Sequence, residues 1–295
     1  MPGGFRSRIR EHGQEFRATD RVARLIVFPR YVPLLDRLRE HPEDVCTMIA
    51  QITECLDALF HRAGILHRDV SAYNIMWQPP ESPDSQPVSG NFVLCDFDLA
   101  VNLGSDNPSS SSETSRVATA PHRTGTLPFL ALELLKNDGT PHRLYHDYES
   151  LFWVVLWCAM KVDYRDKNAD RAAIDKILHG WQSTDSNRIY YKKRKVLETR
   201  CQGLPLSQRF KSSMRTTFLL ESLSSLLDRA QVDGRDMQIE EKDGVLFGAK
   251  ARSWGDIMDG LICKKTIMEA LEAAAKRAEW VEARKVAARS QPLAT

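Results

Sequence analysis

The first lysine of this 295-residue chain is Lys136. Arginine alone supplies fixed positive charge before it, so chemistry that needs an early lysine has none to use. Glycines are sparse at the start as well: Gly3, Gly4 and Gly13 do not make a G-x-G-x-x-G phosphate loop. No apolar run approaches the ~20 residues needed to cross a bilayer. Met1 to Asp20 is polar and charged, without the apolar core of a signal peptide. The expectation is an intracellular protein, cytoplasmic or nuclear, with no membrane association. A formal net charge of +2 gives electrostatics no reason to name nucleic acid as a partner. The six cysteines (Cys46, Cys55, Cys95, Cys158, Cys201, Cys263) form no C-x-x-C pair and have no histidine nearby at zinc-ligand spacing, which argues for reduced, mostly buried thiols. No internal repeat is evident.

What is present is the composition of an ordinary globular protein, 42% hydrophobic and 27% charged, long enough for one large domain or two small ones. Leu25 to Phe28 reads as a short buried strand and Leu34 to Leu38 as a short helix. Val45, Met48, Ile49, Ile52, Leu56 and Leu59 form one apolar helical stripe, with Pro42, Glu43 and Asp44 suited to its first turn and Gly64 to its end. Ile65 and Leu66, Ile75 to Trp77 and Phe92 to Cys95 read as strands, the last two separated by a Pro/Ser-rich stretch from Gln78 to Gly90. Asn102 to Arg116 is Ser-rich and poor in apolar residues, the composition of a mobile excursion. Tyr148 to Met160 is apolar nearly all round and predicts a central buried helix. Trp153 and Trp157 within it read as core. Thr266 to Arg289 predicts a helix packing one stripe and wetting the other. The basic run "YYKKRKV", Tyr190 to Val196, reads as a solvated helix face, with a phosphate-binding or nuclear-import patch as the alternative.

The chemistry-bearing residues sit in "HRDVSAYN" and "CDFDLA", with Asp69 and Asp96 27 positions apart. An Asp/Asn-rich turn can cap a helix or close an Asx-turn, which explains any one of these residues but not their joint order between strands. The pair resembles the protein-kinase motifs H-R-D-x-x-x-x-N and D-F-G. With "RTGTLPFLALELL" and "HDYESLFWVVLW" it is similar to the fungal-type protein kinases, over roughly Leu25 to Met160. The resemblance implies an α+β, protein-kinase-like fold that is mostly the helical C-terminal lobe. It divides the chain into 1–32, a remnant of an N-terminal lobe and hinge; 33–265, the C-terminal lobe, with catalytic loop 67–74 and activation segment 96–133; and 266–295, a C-terminal helix and tail.

It also implies roles. Asp69 would orient the substrate hydroxyl, and Asn74 and Asp96 would ligate the Mg²⁺ ions that accompany ATP. His67 would pack and hydrogen-bond within the loop, and Arg68 would receive an anionic activation segment, whose hydroxyls between Ser109 and Thr124 are candidate phosphorylation sites. Thr126 matches the substrate-facing threonine of Ser/Thr kinases. Glu133 matches a glutamate that pairs with a later arginine not identifiable here. Asp147 would either accept backbone N–H bonds from the catalytic loop or complement its own helix dipole. Cys95 would line the nucleotide pocket or be a plain buried strand cysteine.

Three departures bear on activity. Ser71 stands where Ser/Thr kinases place a lysine, and Asp98 replaces the glycine of D-F-G. The third is the missing early lysine, which kinases use to hold the α- and β-phosphates. About 32 residues cannot hold five strands of ~5–6 residues and a helix of ~11. The expectation is a kinase domain acting on Ser/Thr of a protein substrate, with most of its N-terminal lobe absent and little or no turnover by this chain alone. The alternative is a non-catalytic pseudokinase that binds a partner protein. A small-molecule kinase is a third reading, disfavoured by the Thr126 to Glu133 stretch.

Overall fold

The computed structural model describes residues 30–80, 90–103, 125–136, 139–245 and 253–289. The chain divides into two compact units, Met1–Arg30 and Tyr31–Thr295. The strand expected at Leu25 to Phe28 lies outside the described residues, as do 81–89 of the Pro/Ser-rich stretch and 104–116 of the Ser-rich excursion. Every described helix and strand belongs to the second unit.

This unit opens with a two-residue strand, β1 (Val32–Pro33), and a short helix, α1 (Leu34–Glu40), that buries Leu34 and Leu38. Pro42, Glu43 and Asp44 form a separate 3₁₀ turn rather than the first turn of the next helix. Asp44 then faces back to α1, where the Arg37 guanidinium meets its carboxylate at 2.6 Å. Helix α2 (Val45–Ala63) buries the stripe expected of it, including Met48, Ile49, Ile52 and Leu56. Each such aliphatic side chain contributes about 1.5–3 kcal/mol of burial. Gly64 closes the helix in the left-handed conformation, φ 66°, donating its N–H to the Phe60 carbonyl.

The chain reverses through β2 (Ile65–Leu66), a loop, β3 (Ile75–Gln78) and β4 (Asn91–Leu94). Strands β1, β3 and β4 make an antiparallel sheet in that order, with Trp77 opposite Val32 and Phe92. β2 pairs antiparallel with β5 (Val101–Asn102), Leu66 opposite Val101. Gln51 of α2 grips the start of β4: its Oε1 accepts the Phe92 N–H at 2.8 Å. A four-residue strand pinned to a long helix keeps its far end in place, and the far end of β4 leads to Asp96.

After β5 the described chain resumes at Gly125, with a 3₁₀ turn at Leu127–Phe129 and a short helix, α3 (Leu132–Lys136). Helix α4 (Leu144–Lys161) is buried from Leu144 through Met160, as an apolar sequence with no wet face requires. Around it lie α5 (Arg171–Trp181), α6 (Ser186–Glu198), α7 (Gln208–Ser212), α8 (Met214–Val245), α9 (Trp254–Leu261) and α10 (Lys264–Arg289). Helix α10 packs along α8 through Ile267 and Ala274 while Glu272 and Lys276 pair on its wet face at 2.6 Å. Trp153 of α4 and Trp181 of α5 meet edge to face at 5.5 Å and are 0% and 1% exposed. Trp157 is also core, beside Phe129.

One expectation fails. The basic run on α6 is not a uniformly solvated face, because Lys193 is fully buried. Ile189, Lys193, Val196 and Leu197 lie on a single helical stripe turned to the core. Among the described residues no helix is long and apolar enough to cross a membrane.

Candidate functional site

The loop from His67 to Asn74 joins β2 to β3, and its geometry is imposed from below by Asp147. That carboxylate, on the first turn of α4 and 1% exposed, accepts the backbone N–H groups of His67 and Arg68, each at 3.2 Å, and His142 Nε2 at 2.8 Å. Of the two roles open to Asp147, the structure therefore has the loop acceptor. Burial pushes its pKa up, but His142 and the Arg68 N–H outweigh that and hold it below the usual carboxylate range. The bonds also sustain an unfavourable backbone at Arg68, φ 70°, a conformation costing roughly 1–3 kcal/mol in a non-glycine residue.

His67 fastens the loop to the end of β4. Its Nε2 lies 3.1 Å from the Cys95 carbonyl and its Nδ1 3.3 Å from the Asp69 N–H. A carbonyl only accepts and an amide only donates, so the ring is the neutral tautomer with hydrogen on Nε2. The Cys95 N–H in turn donates to the Asn74 carbonyl at 2.7 Å. Both backbone groups of Cys95 are thus held by the loop, and the next residue, Asp96, is delivered beside Asn74. Burial and the Asp96 charge push the Cys95 thiol up, which favours the plain structural reading over a reactive one.

Asp69 is oriented at both oxygens. Its Oδ1 accepts the Thr126 N–H and the Thr126 hydroxyl, each at 2.9 Å. Its Oδ2 accepts Asn74 Nδ2 at 3.1 Å, and the same amide donates to the Asp69 carbonyl at 2.9 Å. Gly125 lets Thr126 come so close: its φ is 111°, and a Cβ there would stand 3.1 Å from the Arg68 carbonyl and 2.8 Å from Leu130. Ser71 is buried, its hydroxyl accepting the Tyr73 N–H at 3.3 Å. It closes the loop's own turn and offers no cation. Tyr73 projects from this turn, 63% exposed, edge-on to Trp157 at 5.8 Å.

Asp96 differs from all of these. It is exposed, sits at φ 61°, and among the described residues receives only a long bond of 3.4 Å from the Asp98 N–H. The left-handed residue of this turn is therefore Asp96 itself; Asp98 has negative φ, so losing a glycine there costs no backbone strain. Phe97, 42% exposed, rests edge-on against His67 at 4.8 Å.

The donor set fits a hard cation. Asn74 Nδ2 donates to both the carbonyl and the carboxylate of Asp69, its Oδ1 takes no bond from the described residues, and Asp96 adds a carboxylate that receives one long bond from them. Two oxygens with waters and phosphates are what Mg²⁺ accepts. Among the described residues no cluster of three or more His, Cys, Asp or Glu forms a metal site.

The segment after Thr126 is gripped from beneath by charged groups that sequence reasoning missed. Lys193 Nζ donates to the Leu130 carbonyl at 2.7 Å, with the Trp153 ring 4.5 Å away. Glu149 Oε1 accepts the Leu132 N–H at 2.8 Å and Trp153 Nε1 at 3.0 Å. Both charges are buried: Lys193 is pushed down to about 7 by burial against the pull of Glu149, and Glu149 is pushed up by the same burial.

Glu133 also departs from expectation. In place of an arginine, its described partners are the Tyr145 hydroxyl, His146 Nε2 at 3.3 Å and Trp254 Nε1 at 3.1 Å. His146 accepts the Arg143 N–H on Nδ1, so its Nε2 carries the hydrogen. Burial drives that imidazole well below its ordinary range, leaving it neutral. The nearby Arg143 guanidinium instead reaches Asp256 at 2.6 Å and Asp259 at 2.7 Å on α9. The residues of 104–124, including every activation-segment hydroxyl proposed for phosphorylation, lie outside the described residues.

A helical lobe that carries an Asp/Asn loop and an exposed aspartate between short antiparallel strands, with a buried helix anchoring the loop, is the C-terminal lobe of a protein-kinase-like fold. The sequence model of the fungal protein kinase family matches residues 6–159, and the chain belongs to that family. The matched stretch ends inside α4. No curated protein matches the chain.

Proposed function

We propose that this chain provides the substrate- and metal-holding half of an ATP-dependent protein kinase acting on serine or threonine. The observation that carries the reading is the state of Asp69. Three of its roughly four acceptor positions are filled by Thr126 and Asn74. The carboxylate is thus fixed in orientation, with one position on Oδ2 that no described residue takes and that a substrate hydroxyl would use. Thr126, held by both its N–H and its hydroxyl, fixes where an incoming peptide would lie relative to that oxygen. Asn74 Oδ1 and Asp96 would hold Mg²⁺, which when bound neutralises charge on the nucleotide phosphates.

The first lysine of the sequence is Lys136, so none of its residues ahead of the catalytic loop can place an ammonium on the nucleotide phosphates. Losing one preorganised donor of this kind costs roughly 10²–10³ in rate. The second reading, a non-catalytic module, rests on Ser71, which supplies a turn where a cation is wanted. A chimera joining an upstream glycine-rich, lysine-bearing lobe of a catalytically intact family member to this chain separates the two. Under the kinase reading it binds ATP and phosphorylates Ser or Thr in a peptide library, and Asp69→Asn abolishes transfer while sparing nucleotide affinity. A folded chimera that binds ATP and Mg²⁺ yet transfers nothing favours the module.

A further inference from the structure

The outer face of α6 carries a feature that phosphoryl transfer does not use. Between α5 and α6 lies a groove of about 580 Å³, rimmed by Lys176, Lys192 and Lys195 and floored by aliphatic side chains, among them Ile177, Val196 and Leu204. We propose that this groove docks an acidic peptide segment of a partner protein, with an aliphatic side chain of that segment seated on the floor.

Charge complementarity carries the proposal. The inward cations of α6 are committed: Lys193 to the Leu130 carbonyl, Arg194 to Glu198 at 3.3 Å and Asp228 at 3.0 Å. Lys176, Lys192 and Lys195 form no ion pair among the described residues, although they converge on one groove. The acid in the lining, Asp170, is occupied as the cap of α5, its Oδ1 accepting the Ala173 N–H at 3.0 Å. The groove therefore presents three cations against one engaged anion.

Lys192 is also built in rather than merely present. It is half-buried, and its ammonium lies over Gly180 of α5, where any Cβ would collide with it. Gly180 stands in the last turn of α5, and its lack of a side chain lets the lysine lie down across the helix. The floor decides between anionic partners. Base stacking needs an exposed ring, but Trp181, which also lines the groove, is 1% exposed. Aliphatic side chains between separated cations suit a peptide that alternates acid and hydrocarbon.

The test uses the full chain and a fluorescein-labelled peptide with acidic residues on both sides of a central leucine pair, read by fluorescence anisotropy. Binding that weakens with salt is expected. Lys176→Glu combined with Lys195→Glu, both on exposed side chains, should weaken it at least about tenfold. Replacing the leucine pair by serine should weaken it as well. Gly180→Ala keeps the helix and leaves the melting temperature unchanged or higher, yet should weaken binding by displacing Lys192. The proposal is overturned if no binding is seen at millimolar peptide. It is equally overturned if the charge reversals leave affinity unchanged, or if a lysine-for-acid peptide or a single-stranded oligonucleotide binds as well as the acidic peptide. None of these outcomes depends on catalysis by Asp69.

Discussion

Asp147 and Asp96 are two aspartates attached to the same loop, and they are opposites. Asp147 is sealed beneath it, bonded by N–H donors at both oxygens, and its surroundings hold it ionised despite its burial. Asp96 stands at the rim, exposed and with one long bond from the described residues. A buried carboxylate engaged at both oxygens can only hold things in place. An exposed one with free lone pairs can only be useful if something else holds it in place, here the two bonds to Cys95. The site separates the anchoring charge from the binding charge, and each is poor at the other's task.

The comparison breaks most visibly at Asp147. Asp147→Ala leaves two loop amides and His142 without their acceptor and should cost about 3–5 kcal/mol, measured by urea denaturation. Because the folded pKa is depressed, the unfolded state binds more protons below the ordinary carboxylate range. The stability Asp147 contributes should be fully present above that range and be lost as pH falls through the folded value; the variant should lack that acid limb. The next largest effect is at Lys193. Lys193→Met strands a buried Glu149 and should cost about 2–3 kcal/mol. Adding Glu149→Gln should recover part of the loss, because an uncharged pair needs no counter-ion. In the parent, the lysine pKa near 7 means stability should rise with pH between about 7 and the ordinary lysine range.

Smaller effects sharpen the contrast. Thr126→Val removes one of two bonds to Asp69 Oδ1 and should cost about 1 kcal/mol. Asp96→Asn should change stability by no more than about 0.5 kcal/mol, yet abolish Mn²⁺ broadening of the NMR signals around Asn74. If Asp96→Asn destabilised the fold as much as Asp147→Ala, the division between anchor and ligand would be wrong.

The elements were legible wherever local pattern decides: α2 from its stripe and its glycine, α4 from an apolar run with no wet face, the strands around the loop from short β-rich stretches. The motif residues were legible by order and type. The partners that position them were not, because His142, Glu149, Lys193 and Trp254 meet their targets across separations that no spacing rule encodes. Lys193 did leave a trace. It falls four residues after Ile189 and three before Val196, on the core side of its helix, yet the basic run around it argued for water. Glu149 left one too, a carboxylate inside an otherwise apolar stretch. A charge at a stripe position marks a buried contact.

The bonds from Asp147 to the loop amides have a consequence for time rather than energy. Amide hydrogens of surface loops usually exchange with solvent through small local openings, while those of core helices wait for larger ones. His67 and Arg68 donate to a carboxylate that belongs to α4, the most enclosed helix of the lobe. Their amide hydrogens should therefore exchange on the slow clock of that helix, while that of Tyr73, a few residues along and closed only by the Ser71 turn, keeps the fast clock of a loop.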